Sequence, residues 1–228
     1  MVSHHIEIPQ WARDRGRQIR TSGQLDPKRT AVLAIDLQNF FVGDGQAIAN
    51  PYASSVIPVV NRLTGALREA GATVIFTQHA FDEEKHDRPR RRPLSAASQA
   101  NIALRADLLP GTRGFALHDD VEVDPCDVIL TKLRMSAFHP YANCGLLPVL
   151  EERGITTIII CGLVTNGCCE TTARDAFQYD FSVIFAADAT ATLSDAEHNA
   201  TLLNLALFFA DVQVTADLLH AAEPIFPA

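Results

Sequence analysis

The stretch ITTIIICGLVTNGCCETTARDAF, residues 155–177, decides how this chain of 228 residues folds. Its opening run, Ile155–Cys161, is the most hydrophobic strand that the sequence predicts. Residues Thr165–Tyr179 then predict a helix. A strand that leads directly into a helix is the beginning of a βαβ unit, in which helices connect parallel strands.

Strands and helices alternate over the rest of the chain. Thr30–Asp36 (TAVLAID) predicts a buried parallel strand, and Pro51–Gly71 predicts a helix because its apolar residues recur at steps of three and four. The other predicted strands are Ala72–Gln78, Asp127–Lys132, Phe181–Ala187 and Val212–Val214, and the other helices are Gly145–Arg153, Ser194–Phe209 and a C-terminal helix. This alternation predicts an α/β fold with a mostly parallel sheet of about six strands and helices on both faces.

The composition excludes several classes of protein. With 47% apolar and 20% charged residues, the chain has enough apolar surface to build a core, which excludes collagenous and disordered classes. The net charge of −8 argues against nucleic acid as a partner. The longest apolar runs span about ten residues, half of what a bilayer requires, so no membrane partner is expected. The N-terminus lacks the apolar segment of a secretion signal, which predicts a cytoplasmic protein with free thiols.

Two segments are predicted to lie outside the sheet and its helices. Residues 1–29 are polar and predict an N-terminal arm, followed by one domain over residues 30–228. Phe81–Pro93 is dense in charge and predicts a surface loop. Its arginines either face solvent or, if the loop closes as a lid, hold a carboxylate of the substrate; they are Arg88, Arg90, Arg91 and Arg92.

Chemically useful residues follow three of the predicted strands. Asp36 ends the first strand, Lys132 ends the third, and the sequence GLVTNGCC follows Cys161. The carboxyl ends of parallel strands meet at one edge of a sheet, and ligands of such sheets bind beyond that edge. We therefore expect these residues to form one site.

Cys168 is the candidate nucleophile of this site. It lies at the start of a predicted helix, where the helix dipole favours an anion, and a nearby lysine adds positive charge. We therefore expect its thiol to ionise more easily than a free cysteine. An aspartate can carry the proton, and backbone N–H groups can bind a developing oxyanion, so the set suits acyl transfer from a carbonyl.

Each of these residues also has a purely structural interpretation. A cysteine is often a small buried apolar residue, an acid after a strand is often a cap, and a lysine there is often solvated. The adjacent pair Cys168 and Cys169 does not have the C-x-x-C spacing of thiol oxidoreductases. No histidine pattern typical of a catalytic metal is present, so no metal and no other cofactor is expected.

The order of AVLAIDLQNFF, ILTKLRMSAFHP and CGLVTNGCCETTARDAF resembles the isochorismatase-like cysteine hydrolase superfamily, from about Thr30 to the C-terminus. The resemblance implies a Rossmann-like three-layer αβα sandwich and an oligomer, either a dimer or a tetramer. It also implies a catalytic triad of Asp36, Lys132 and Cys168. A non-proline cis peptide is implied between Leu163 and Val164, which would direct the N–H groups of Val164 and Cys168 toward the oxyanion.

The same resemblance narrows the expected activity. Isochorismatases proper typically lack the cysteine, and nicotinamidases carry histidine metal ligands between the first two strands, whereas residues 37–71 contain no histidine. The closest likeness is to ureidoacrylate, N-carbamoyl and biuret-type amidohydrolases, which use no metal. This implies a metal-independent cysteine amidohydrolase that forms a Cys thioester and releases ammonia. An isochorismatase-type ether hydrolase and a catalytically silent interaction domain of the same fold are the alternatives.

Two further expectations concern the substrate and the assembly. Residues near the same strand exits are candidate contacts for a small-molecule amide or carbamoyl substrate: Asn39, Phe40, Gln78, Phe138 and Tyr141. The aromatic members of this set are equally compatible with core packing. A lone tryptophan on the polar arm, Trp11, would be exposed in a monomer, which favours a homo-oligomer.

Overall fold

The computed structural model describes residues 3–19, 25–42, 50–81 and 106–222. Within them, six parallel strands form one sheet in the order β3-β2-β1-β4-β5-β6. The strands are β1 (Thr30–Ile35), β2 (Thr73–His79), β3 (Val128–Lys132), β4 (Thr157–Leu163), β5 (Ser182–Ala191) and β6 (Asp211–Gln213). The predicted α/β class and sheet are confirmed.

The helices follow the predicted alternation with strands. They are α1 (Gln10–Ile19), α2 (Asn39–Val42), α3 (Ala53–Glu69), α4 (Leu146–Glu152), α5 (Glu170–Gln178), α6 (Asp195–Asn204) and α7 (Thr215–Ala222). Two predicted helices differ in detail, because π-helical turns precede α5 and follow α6, at Thr165–Cys169 and Leu205–Phe209.

The central strand β1 shows why the chain forms three layers. All of its residues are buried. Leu33 and Ile35 pack into one apolar cluster, with residues of α4, α5 and α6, while Val32 and Ala34 pack into a second cluster with α3. Successive side chains of a strand point to opposite faces, so a strand that is apolar throughout requires cover on both sides.

The strand order places a crevice beside the carboxyl end of β1. The chain moves from β1 toward β2 and β3 on one side, and returns to β4, β5 and β6 on the other. Connections that leave neighbouring strands in opposite directions open a crevice beyond the sheet edge, where α/β proteins bind ligands. In this fold that place lies between β1 and β4.

The N-terminal arm packs against the domain. Its Arg13 Nη1 donates to the carbonyl of Val212 at 2.7 Å, and His4 Nδ1 lies 2.7 Å from Asp195 Oδ1. The ring of His4 is stacked between those of Tyr52 and His198, with centroid distances of 3.8 and 4.2 Å. The arm therefore reaches the region in which α6 begins.

Two expectations cannot be compared with the fold. Apart from Phe81 itself, the predicted loop Phe81–Pro93, with its arginines, lies outside the described residues. The role of the arm in assembly also stays a prediction. Among the helices described, none is long and apolar enough to cross a membrane.

Candidate active site

Asp36 follows β1 directly, at the carboxyl end of this strand. Its backbone has a φ of +52°, and its N–H donates to the carbonyl of Thr77 at 3.0 Å. The Thr77 hydroxyl donates to Asp36 Oδ1 at 2.7 Å. The carboxylate is only 1% exposed, so the end of β2 holds it in one orientation away from water.

Lys132 ends β3 and extends its side chain to Asp36. Its Nζ lies 2.7 Å from Asp36 Oδ2. The same ammonium donates to His79 Nδ1 at 3.3 Å and to the carbonyl of Arg134 at 3.1 Å. Burial lowers the pKa of Lys132, but the charge of Asp36 and the contacts with Asp36 and Cys168 outweigh burial and raise this pKa above its usual value. The buried lysine therefore stays cationic.

Cys168 lies in the π-helical turn that joins β4 to α5. Its Sγ and polar atoms of Asp36 and His79 all lie within 4.8 Å of one another. Burial raises the pKa of the Cys168 thiol to about 12, and the charge of Asp36 adds to this effect while Lys132 opposes it.

The expectation that Cys168 ionises more easily than a free cysteine is therefore wrong for the resting site. Burial and the neighbouring carboxylate favour the neutral thiol more strongly than Lys132 favours the thiolate. Position at a helix start predicted one favourable influence but did not predict the burial of the thiol or the carboxylate beside it. The proton can instead pass to a nearby base at the moment when sulfur attacks a carbonyl.

The backbone between β4 and the nucleophile has two unusual features. Gly162 has a φ of +106°, and a Cβ on this residue would overlap the backbone of Ile35. The next peptide, Leu163–Val164, is cis, as the resemblance implied. The Val164 carbonyl accepts hydrogen bonds from Gly167 N at 3.0 Å and Cys169 N at 3.2 Å, which closes the turn.

Side chains from α6 and from the residue that follows β5 hold the same turn from the other side. Thr165 Oγ1 and His198 Nδ1 are 2.9 Å apart, and Thr192 Oγ1 donates to Asn166 Oδ1 at 2.7 Å. His198 is completely buried. The turn that carries Cys168 is thus fixed on both flanks, which suits a site that must hold reacting groups in register.

The two adjacent cysteines occupy different environments. Cys169 is fully buried within the apolar cluster of α5, whereas Cys168 is partly accessible at the margin of that cluster. Burial raises the pKa of Cys169 well above its usual value. The structure therefore brings Asp36, Lys132 and Cys168 together and leaves Cys169 in the core.

The predicted substrate contacts have other partners in the structure. The Asn39 amide donates to the carbonyls of Arg113 and Leu117 at 3.1 and 3.4 Å, and the Gln78 amide donates to that of Phe115 at 2.9 Å. Phe40 packs with Phe81 and Leu108 in a small cluster. Phe138 is buried and stacks on Tyr179 with a centroid distance of 5.4 Å, and Tyr141 lies beside His139. Contact of these residues with a substrate stays a prediction.

Sequence reasoning did not select three residues that complete the site. Thr77 orients Asp36, His79 contacts Lys132, and Gln38 binds the backbone of His79. The sequence T-Q-H at the end of β2 carries a usable signal. In a parallel sheet its residues lie beside those that end β1 and β3, and His79 pairs with Lys132 in the register.

One group in the described parts of the chain has the geometry of a metal site. It consists of Asp36, His79 and Cys168, which offer an oxygen, a nitrogen and a sulfur within 4.8 Å of one another. The Lys132 ammonium contacts Asp36 and His79 of this group. A metal ion would therefore have to compete with a buried cation that already neutralises the carboxylate.

Residues 30–217 match the Isochorismatase domain family. Nicotinamidase 3 of Arabidopsis thaliana is 34% identical over 185 residues, which cover 80% of this chain and 83% of that protein. Ureidoacrylate amidohydrolase RutB of Caulobacter vibrioides is 34% identical over 207 residues, which cover 85% and 91%.

Solved structures agree with the sequence matches. A cysteine hydrolase from Pseudomonas syringae pv. phaseolicola has a TM-score of 0.79 and 29% identity, covering 90% of this chain and 97% of that one. N-carbamoylsarcosine amidase from Thermoplasma acidophilum has a TM-score of 0.66 and 22% identity, which shows a shared fold alone.

Proposed function

Because this chain belongs to the isochorismatase family, with residues 30–217 as the matching region, we propose that it is a metal-independent cysteine amidohydrolase. The carrying observation is the buried ion pair of Asp36 and Lys132 beside the thiol of Cys168. The names of two relatives, a nicotinamidase and a ureidoacrylate amidohydrolase, describe hydrolases of carbon–nitrogen bonds. The expected enzyme class, a hydrolase acting on C–N bonds other than peptide bonds, agrees with them.

The reaction begins with the transfer of a proton from sulfur to carboxylate. As Cys168 Sγ attacks the carbonyl carbon of a terminal amide, Asp36 takes the thiol proton. The N–H groups of Val164 and Cys168 bind the resulting oxyanion. When the C–N bond breaks, Asp36 returns the proton to nitrogen, ammonia leaves, and an acyl thioester remains on the enzyme.

Water completes the cycle. Asp36 accepts a proton from a water molecule that attacks the thioester, and the C–S bond breaks to give a carboxylic acid and the free thiol. With a ureido substrate, the same steps release ammonia and a carbamic acid, which decomposes to an amine and carbon dioxide. Lys132 stays protonated throughout and keeps carboxylate and sulfur in register.

Two observations support a mechanism without a metal. The positive charge that a metal would supply is already present at the site as the Lys132 ammonium. No histidine occurs between residues 37 and 71, where nicotinamidases carry their metal ligands. The proposed substrate is a small molecule with a terminal amide, ureido or carbamoyl group, whose developing oxyanion the backbone N–H groups bind by hydrogen bonds without a metal.

A coupled ammonia assay tests this function. The substrates are ureidoacrylate, N-carbamoyl amino acids, biuret, nicotinamide and aliphatic amides, each measured with and without EDTA, with Cys168→Ser as the inactive control and Cys169→Ala as its matched neighbour. We expect ammonia from at least one substrate, unaffected by EDTA and abolished in Cys168→Ser. Release that requires added metal, or hydrolysis of isochorismate alone, would contradict the proposal.

A further inference from the structure

The third hydrogen-bond acceptor around the buried lysine is an imidazole nitrogen. Lys132 is an ammonium and can only donate. Its contact with His79 Nδ1 at 3.3 Å therefore requires that this nitrogen accept, and so carry no proton. A neutral imidazole holds its single proton on the other nitrogen, which makes His79 the Nε2–H tautomer.

The position of His79 is determined by the strand ends that also carry the triad. Gln38, two residues after Asp36, accepts from His79 N at 2.7 Å and donates to His79 O at 3.0 Å. His79 is paired with Lys132 in the register of β2 and β3. Its backbone is thus held by β1 and β3 together, which directs the ring to the lysine.

A buried ammonium needs acceptors for all three of its N–H groups. Lys132 finds acceptors in Asp36 Oδ2, His79 Nδ1 and the carbonyl of Arg134, and its ammonium also contacts the sulfur of Cys168. Without the imidazole, the N–H group that points to Nδ1 would lose this partner, and the side chain would rotate or lose its proton. Either change moves positive charge away from the place between Asp36 and Cys168.

We propose that His79 is a positioning residue of this active site. Its Nδ1 accepts a hydrogen bond from Lys132 and holds the ammonium where it contacts both Asp36 and Cys168. The proposal rests on the function proposed above, since it assumes that Lys132 and Cys168 take part in the reaction. It adds a fourth side chain to the triad. It also assigns the strand-end sequence T-Q-H to the support of the lysine.

Three substitutions distinguish the effect of the acceptor atom from the effect of the imidazole ring. His79→Phe keeps the ring and removes the acceptor. His79→Asn places Oδ1 where Nδ1 stands, and His79→Gln places its polar atoms one bond farther away. His5→Phe, on the exposed arm, is the matched control. All variants carry Cys126→Ser, because Cys126 is exposed and would react with alkylating reagents, and peptide mapping distinguishes Cys168 from the partly accessible Cys144.

Two measurements are made on each variant. The first is kcat and KM for the substrate identified by the ammonia assay. We expect His79→Phe and His79→Gln to lose at least about tenfold in kcat with KM changed less than about threefold, and His79→Asn to stay within about threefold in both. The second is the pH profile of alkylation of Cys168 by iodoacetamide. We expect it to move to higher pH in His79→Phe and to remain in place in His79→Asn.

Two results would overturn the proposal. One is a His79→Phe enzyme with unchanged kcat and an unchanged alkylation profile. The other is a His79→Asn enzyme as impaired as His79→Phe, since the acceptor at the Nδ1 position would then not be the group that matters. Thermal unfolding identifies a variant that does not fold, and His79→Gln then replaces His79→Phe. The alkylation profile needs no substrate, so it tests His79 even if no amide is hydrolysed.

Discussion

Lys132 Nζ lies 2.7 Å from Asp36 Oδ2, and both side chains are withdrawn from solvent, at 0% and 1% exposure. Removing one member of such a pair leaves a buried charge without a partner, which typically costs 3–5 kcal/mol, whereas replacing both is much less costly. We expect Lys132→Met to lower the free energy of unfolding by about 3–5 kcal/mol and Asp36→Asn/Lys132→Met to recover most of it. Urea unfolding measures this. Equal stability of the single and double variants would show that the pair is not coupled.

The catalytic consequence of these substitutions should differ from the consequence for stability. Lys132→Met lacks the cation that keeps carboxylate and sulfur in register, and the double variant also lacks the carboxylate that moves the proton. We therefore expect both variants to lose at least about 1000-fold in kcat, although the double variant is stable and Lys132→Met is destabilised. Ammonia release under saturating substrate gives the comparison. Near-normal kcat in Lys132→Met would remove Lys132 from the mechanism.

Asp36→Asn should speed the alkylation of Cys168 by iodoacetamide and slow the hydrolysis of the substrate. The charge of Asp36 helps to raise the pKa of the Cys168 thiol to about 12, so removing that charge lowers the pKa and increases the thiolate fraction. We expect faster alkylation by iodoacetamide at pH 8 and a kcat reduced by orders of magnitude, because no base remains. In the Cys126→Ser background, peptide mapping separates the adduct on Cys168 from any adduct on the partly accessible Cys144. Slower alkylation than in the parent would contradict this assignment of Asp36.

Cys168 and Cys169 should differ in their reactivity toward iodoacetamide. Cys169 is fully buried, whereas Cys168 is partly accessible. Peptide mapping after brief alkylation should find the adduct on Cys168, with activity lost in proportion. Cys169→Ala should retain most of the activity, and Cys168→Ala should retain none. An adduct that forms first on Cys169 would reverse the assignment of the nucleophile.

His198 should make the fold sensitive to mild acid. Burial, with the nearby ring of His4, lowers the pKa of His198 from 6.5 to about 4. Between these values the unfolded chain binds a proton that the folded chain excludes, so stability is full above about pH 6.5 and falls as the pH approaches 4. The loss amounts to about 3 kcal/mol.

His198→Asn supplies the comparison for this effect. It keeps a polar atom near Thr165 but does not titrate. Urea unfolding at pH 7.5 and at pH 4.5 should show a smaller decrease in stability for the variant than for the parent. Other groups titrate equally in both proteins, so the difference isolates His198. Identical decreases would show that His198 is not the responsible group.

Trp11 offers a test of the predicted oligomer. Its side chain is 53% exposed on α1, which leaves the ring available for a contact with a second subunit. If the arm forms a contact between subunits, Trp11→Ser should weaken assembly, while Trp11→Phe should preserve it. Sedimentation velocity at micromolar concentration distinguishes the two. A monomeric parent protein would contradict the prediction.

The sheet could be predicted because its signals are local. Apolar runs such as Ile155–Cys161 and TAVLAID identify strands that must be covered on both faces, and the alternating helices determine that these strands are parallel. Asp36, Lys132 and Cys168 follow from the rule that strand ends meet, aided by the family resemblance. Local patterns are sufficient to predict an element when the residues of that element alone indicate whether it is buried.

The rest depends on relations between distant residues. The role of His79 depends on its register with Lys132 and on Gln38, neither of which appears in its own neighbourhood of the sequence. The ionisation of Cys168 was mispredicted because burial is a property of the assembled site. The stacking of His4 between Tyr52 and His198 joins segments that are far apart in the chain. The periodicity of apolar residues within one segment does not predict such a contact.

The close approach of Gly162 to Ile35 limits how this enzyme can be redesigned. A methyl group at residue 162 would push β4 away from β1, and with it the thiol of Cys168 away from the carboxylate of Asp36. Mutant libraries aimed at new substrates should therefore diversify the loops around the crevice and keep this glycine unchanged. Specificity can then be varied while the distance between base and nucleophile stays as it is.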